Sequence, residues 1–348
     1  MSKKIMLVGL GVWLVFMSAS AYAFWPFTVR SDMVGYCAPC WGENNKIYFI
    51  KKVTFGRAIS GKTALHAILF MGGSYFADHT EVYLCSMNYD STDKKEIVKI
   101  GDTDDDTYWL PMYLDYCQVK NLLLLSGGSI PSGGTSHGIW TIKTDGTGLK
   151  RILDAGMHAS SSPDGKRIVY EVVEQKEKRN KDGWLEGYEF SNTIWVMNAD
   201  GSNKKMISTT KIPEKQRDGT VVYKFDDTNP IWSPKGDLIA FVCKGWIWVM
   251  KPDGNERRRV IRGHLTDWSS DGNMLLGSVP GGSAIFDLEG NVVKRLKYCG
   301  EWSPDGKTIL GYLGTYDIES GIEKSLLADV RKKDEKEHFV YKRPNNIW

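Results

Sequence analysis

Two short elements recur down the chain. The first is Ser162-Pro163-Asp164-Gly165-Lys166, which returns as Trp232-Ser233-Pro234-Lys235-Gly236, as Trp268-Ser269-Ser270-Asp271-Gly272 and as Trp302-Ser303-Pro304-Asp305-Gly306-Lys307. The second follows each copy: Ile194-Trp195-Val196-Met197 leading to Asp200-Gly201, and Ile247-Trp248-Val249-Met250 leading to Asp253-Gly254. Weaker copies run from Ala284 to Gly290 and from Tyr316 to Gly321. A repeat of this kind constrains the fold more than composition does. Each unit buries its apolar faces only against its neighbours, so the units must stack.

The chemistry of each element is local. In Ser-Pro-Asp-Gly, proline presets φ at the second turn position, Asp tolerates the third and Gly takes the left-handed exit. Ile-Trp-Val-Met reads as a strand, and the Asp-Gly after it as the next hairpin turn. A unit is therefore four short antiparallel strands. Degenerate copies extend the series upstream: Tyr116 to Asn121 followed by Gly138 to Gly146, and Trp41 to Lys46 followed by Val82 to Cys85. Six units result, at about 36–100, 107–154, 156–208, 225–262, 263–297 and 298–330, with a tail over 331–348. The expected fold is all-β, a six-bladed β-propeller of four-stranded antiparallel blades.

These motifs resemble the WD-like repeats of the TolB-like propeller family, closely over about 110–330 and loosely over 35–100. The resemblance implies the fold. It does not single out a function, because such propellers serve as binding modules, as lids on peptidases and in places as enzymes.

Lys3 and Lys4 precede an apolar run, Ile5 to Met17, and small residues ending in Ala21-Tyr22-Ala23. That is the order of a signal peptide, so 1–23 read as a leader and 24–348 as one propeller domain. The run is shorter than the ~20 apolar residues of a spanning helix. The expectation is export to the periplasm or beyond, with no transmembrane span after leader removal. The formal net charge of +3 gives no electrostatic reason to expect nucleic acid. The 13 Trp and 16 Tyr beside 36 Gly suit packed β-structure.

Gly56, Gly61, Lys62 and Thr63 complete a G-x-x-x-x-G-K-[ST] match. A phosphate loop needs a strand, the loop, a helix and a parallel sheet. No βαβ unit follows, so the match reads as coincidence and no nucleotide is expected. The run beginning Asp102-Thr103-Asp104 lacks the Gly and Glu of an EF-hand, having Thr107 and Tyr113 there.

Strands of a unit alternate direction, so loops after strands two and four share one face. That face takes every long insertion: 55–80, 101–110, 126–138, 170–192 and 209–228. It carries Tyr75, Phe76, Trp109, Trp184, Tyr188, Phe190 and Tyr223, and His158 and His264 sit near it at the entrance of their innermost strands. Aromatic anchors on loops suit a protein interface or a sugar platform. The mixed run Glu174 to Asp182 reads as a solvated hairpin arm. On the innermost strands, the position before the Trp is Cys40, Asp115, Ser160, Ile231, Asp267 and Glu301. Asp115, Asp267 and Glu301 form an acidic channel ring, either solvated or holding a cation such as Ca²⁺. No other cofactor or metal is expected.

Export permits disulfides. Cys299 stands at the height of Cys37 and Cys40 on the innermost strands of the last and first units. A bridge from Cys299 to Cys37 or Cys40 would clasp the ring. No nucleophile elbow and no H-E-x-x-H appear. The function expected is a non-catalytic scaffold that binds an envelope or secreted protein through the long-loop face. The alternative is a propeller lyase or hydrolase for an acidic or carbohydrate substrate, with a metal at the channel mouth.

Overall fold

The computed structural model describes residues 28–30, 33–59, 75–102, 111–127, 138–180, 182–215, 221–311 and 314–326. Gly61, Lys62, Thr63 and Trp109 lie outside them, and Gly56 lies within the strand Lys46–Ile59. Among the described residues the chain is all-β apart from two single-turn 3₁₀ helices, and no helix is long and apolar enough to cross a membrane.

The described residues form seven antiparallel sheets. The first has five strands: Thr28–Arg30, Met33–Trp41, Lys46–Ile59, Tyr75–Asn88 and Lys95–Asp102. Five sheets have four strands each, paired in chain order, and begin with Tyr113–Cys117, Met157–Ser161, Asp227–Trp232, His264–Trp268 and Glu301–Trp302. The seventh is a two-stranded ribbon, Ile212–Lys215 with Val221–Lys224.

The innermost strands of the six larger sheets touch in sequence order, and Met33–Trp41 also touches Glu301–Trp302. The sheets therefore close into a ring, the arrangement of a β-propeller. Six apolar clusters fill the gaps between neighbours. Alternation along each strand explains how one sheet serves two of them. Leu123 and Leu125 pack with Ile50 and Leu84 of the first sheet, while Leu124 between them packs with Ile168 and Tyr170 of the third. Likewise Ile239, Phe241 and Cys243 face back toward Val169 and Ile194, and Ala240 and Val242 face forward toward Leu265 and Leu275.

The Ser-Pro-Asp-Gly turns repeat atom for atom. Ser162 Oγ donates to Asp164 Oδ1 at 2.6 Å and accepts from Arg167 N at 2.9 Å. Ser303 with Asp305 and Thr308, and Ser269 with Asp271 and Met274, keep the same distances. These hydrogen bonds hold Asp164, Asp271 and Asp305 below the usual carboxylate range. In the fourth of the larger sheets Lys235 replaces the acid, and Asp237 takes the serine instead at 2.8 Å.

The Asp-Gly turns have a second role. Gly201 has φ +90°, and a methyl there would stand 2.6 Å from Ile152 O on the outer strand of the preceding sheet. Gly254 and Gly290 meet Ile207 O and Val260 O in the same way, and Gly146 meets Ile97 and Val98. Glycine is thus demanded twice, by the left-handed backbone and by the close approach of the neighbouring sheet. Gly254→Ala is expected to cost at least about 2 kcal/mol, because strain and a backbone clash add. Urea unfolding of the variant against the parent measures it, and a change within about 0.5 kcal/mol is the contrary result.

Candidate functional site

Two hairpins leave the rim between the third and fourth of the larger sheets. The first continues the strands Arg167–Arg179 and Leu185–Asn198 well past the sheet. The insertion expected as a loop over 170–192 is therefore a β-arm: seven residue pairs, Val173–Asn192 to Arg179–Leu185, join its two sides. Gln175 pairs with Phe190 and Glu177 with Tyr188 on one face, while Lys176 pairs with Glu189 on the other. One face thus carries the two aromatic rings beside Gln175 and the Glu177–Arg179 ion pair, and the other carries Lys176 and Glu189. At the tip, Trp184 N donates to Asn180 Oδ1 at 2.8 Å and Asp182 N donates to the same oxygen at 3.0 Å. That Asx-type turn fixes the backbone under Trp184, whose side chain is 74 % exposed. Tyr188 and Phe190 are about half exposed.

The ribbon is the second hairpin. Its outward face carries Val221 and Tyr223, the latter 65 % exposed, while Ile212 turns in against the core. Three contacts pin its base. Asn192 N donates to Phe225 O at 3.2 Å, Lys211 lies over the Phe225 ring, and Lys244 Nζ donates to Pro213 O at 3.1 Å. Below it, Arg257 clamps Asp227 through both guanidinium nitrogens at 2.7 and 2.8 Å and stacks on Phe241 and Trp248. From sequence, 209–228 reads only as a long loop, although Asp218-Gly219 between two β-rich runs is a hairpin signal. The ribbon's strands are four residues long and one begins Ile212-Pro213.

The ring of acids forms the wall of a cavity of about 350 Å³ on the channel axis. Each acid is engaged by the next sheet. Asp115 Oδ2 accepts from Ser161 N at 3.0 Å and Ser161 Oγ at 2.8 Å. Asp267 Oδ2 accepts from Trp302 N at 2.6 Å, and Glu301 Oε2 from Trp41 N at 3.2 Å. Ser160 does the same for Trp232 N at 3.3 Å. In four of the six sheets the register position before the Trp is thus an inter-sheet lock. Burial pushes Asp267 up to about 7, with help from the charge of Asp115. It also raises Asp115 and carries Glu301 well above the usual carboxylate range.

His158 lies in the same cavity wall, at a bulge with φ +49°. Its Nδ1 is 2.7 Å from Oε2 of the buried Glu171, and its ring lies 3.9 Å from that of Tyr113. Asn229, also left-handed at φ +51°, donates its N–H to the same Glu171 oxygen at 3.0 Å. His264 is exposed at the start of its strand and is not part of this wall, so the two histidines are not brought together. Sequence reasoning missed Glu171. Its signal was a lone carboxylate inside the apolar run Ile168 to Val173.

The cysteine clasp is not formed: all six cysteines are thiols. Cys37 turns toward the second sheet, its Sγ 3.9 Å from Pro111 O. Cys299 turns toward Thr266 and Ser283 of the fifth. The two match in height but face opposite neighbours. The first and last sheets meet instead through Trp41 N on Glu301 Oε2 and Trp41 Nε1 on Glu301 O, the latter at 3.3 Å.

The molecule is thus a β-propeller with two braced arms that carry Trp184 and Tyr223, the most exposed aromatic side chains among the described residues. No protein-family model matches the chain. A 39-residue stretch is 59% identical to the Tol-Pal system protein TolB of Wolbachia pipientis subsp. Culex pipiens, and another 39-residue match of 59% identity is to that of Wolbachia pipientis wMel. Each match spans 10% of this chain and 9% of the relative. Among solved structures, an acylaminoacyl peptidase of Pyrococcus horikoshii matches with TM-score 0.44 and 13% identity, over 82% of this chain and 42% of that one. The β-propeller domain of the Trilobed protease from Pyrococcus furiosus matches with TM-score 0.37 and 13% identity, over 64% and 72%.

The acid ring sets a pH dependence. The folded state raises Asp267 from about 3.9 to about 7, so it holds a proton that the unfolded chain releases. Stability therefore falls as pH rises from about 4 to about 7. Asp267→Asn removes this slope, and the stability of the variant should gain on the parent by on the order of 4 kcal/mol across that window. Denaturant midpoints at the two pH limits test it. A difference that stays constant, or shrinks toward pH 7, contradicts the assignment.

Proposed function

We propose that this chain is an exported, non-catalytic scaffold, a six-bladed propeller of the TolB-like type that holds an envelope or secreted protein on its long-loop face. The carrying observation is the exposure of Trp184, Tyr188, Phe190 and Tyr223 on two hairpins whose bases are pinned to the ring. Aromatic side chains on rigid supports supply contact area at little entropic cost, as binding hot spots do. For the blade count, the ribbon contributes no innermost strand to the ring and reads as an insertion. For location and partner class, support comes from the short TolB-like stretch and the leader-like N-terminus.

The enzymatic alternative draws on the His158–Glu171 pair. The cavity wall around it carries Asp115, Asp267 and Glu301 and no Lys or Arg, which disfavours an acidic substrate. A scaffold is the better-supported reading.

The test is quantitative capture from envelope extracts on immobilised full chain. Trp184→Ala combined with Tyr188→Ala should weaken retention of the captured protein at least tenfold, equivalent to about 1.4 kcal/mol or more. Tyr223→Ala alone should weaken it less, and Lys176→Ala on the opposite face should leave it unchanged. Retention equal to the parent in the double variant refutes the assignment of this face.

A further inference from the structure

A separate cluster lies on the first sheet, away from arms and channel. His79 and Glu81 stand two residues apart on Tyr75–Asn88 and so share a face, and Glu81 pairs directly with Asp102 on the next strand. One ring nitrogen of His79 lies 3.5 Å from Glu81 Oε1, and the other 3.2 Å from Asp102 Oδ1. Donor atoms of the three residues all fall within 4.8 Å of one another.

The surroundings hold this arrangement. Phe55 stacks on the imidazole with ring centres 5.5 Å apart. The Tyr83 hydroxyl donates to Glu81 Oε2 at 2.6 Å, which leaves Oε1 turned toward His79. Lys99 marks the cationic seat: its Nζ lies 2.8 Å from Glu81 Oε1 and also contacts Asp102 Oδ2. Two carboxylate oxygens therefore already converge on one positive centre. The Lys99 side chain is 40 % exposed, so it can swing into water.

We propose that His79, Glu81 and Asp102 bind a divalent transition-metal ion of the zinc class, and that Lys99 is the resident cation the metal displaces. Two ligands about 2.1 Å from a tetrahedral ion stand about 3.4 Å apart, close to the His79–Glu81 separation. One imidazole with two carboxylates suits Zn²⁺ better than Ca²⁺, which takes six to eight oxygens. All donors sit on paired strands; the carboxylates now flank opposite ring nitrogens, so metal binding at one nitrogen turns the Asp102 or His79 side chain as Lys99 leaves, and water completes the coordination. A metal here ties Tyr75–Asn88 to Lys95–Asp102, the outermost strand of the first sheet.

The experiment titrates the full chain, stripped with a chelator, with Zn²⁺ by calorimetry and with Co²⁺ by absorption. One equivalent of Zn²⁺ should bind. His79→Ala should weaken it by at least about tenfold. Lys99→Met should tighten it several-fold, because the competing ammonium is gone. Co²⁺ should give the visible bands of a tetrahedral nitrogen–oxygen site without thiolate charge transfer. No uptake, uptake unchanged in His79→Ala, or a thiolate spectrum from Cys37 and Cys40 overturns the proposal. Circular dichroism establishes that each variant is folded. Should His79→Ala fail to fold, Lys99→Met decides alone, and affinity equal to or below the parent's overturns the proposal.

Discussion

Each larger sheet of this protein is apolar on both faces, and the rest of the structure depends on that. Leu123 and Leu125 need the first sheet and Leu124 needs the third, so no sheet can satisfy its own strands. A linear stack would leave two terminal faces wet, at a cost of about 25 cal/mol for each Å² exposed. A ring has no terminal faces. Among the described residues its seam is made without strand exchange, because the strands of the first and of the last sheet each follow one another in the chain. Phe49 and Met87 meet Leu310 and Leu326 across it, and Trp41 bonds to Glu301. Closure is therefore a matter of packing and hydrogen bonds.

Packing alone does not fix the register between neighbours, since apolar faces can slide. Close contacts at the inner ends of four sheets and at the outer ends of several do. At the inner end, the side chain before the Trp position receives a backbone N–H of the next sheet, from Asp115, Ser160, Asp267 and Glu301. At the outer end, the Asp-Gly turn fits against the carbonyls of the preceding outer strand only because it has no side chain. The inner lock carries a penalty. Burying carboxylates beside one another raises their affinity for protons, and the ring is most comfortable with some of them neutral.

The turns and the strand period were legible because they are local. Ser-Pro-Asp-Gly specifies its own hydrogen bonds, and even the substitution of Lys235 leaves the serine a carboxylate from Asp237. What the sequence hid is what depends on a neighbour. The second reason for Gly201 and Gly254 is a carbonyl some fifty residues back. The position of Cys299 gave the correct height and no information on facing, and in a four-stranded sheet facing decides which neighbour a side chain meets. Glu171 stood in plain view in an apolar run. Its partners, His158 and Asn229, come from two different innermost strands.

The arms follow from the same architecture. A hairpin that outgrows its sheet loses the neighbours that cover its faces, so its residues must tolerate water or await a partner. The face of the long arm with Lys176 against Glu189 meets the first condition. The exposed rings of Tyr188 and Phe190 on the other face, of Trp184 at the tip and of Tyr223 on the ribbon do not, although Gln175 and the Glu177–Arg179 ion pair share the face of the first two. Solvation alone would have favoured polar residues on both sides of the arm. The Asn180 turn and the Asn192–Phe225 bond hold the two hairpins against the entropy of free loops. Ordering of this kind lowers what a partner must spend to bind, so the rigidity of the ring reaches the aromatic side chains through the arms' own hydrogen bonds.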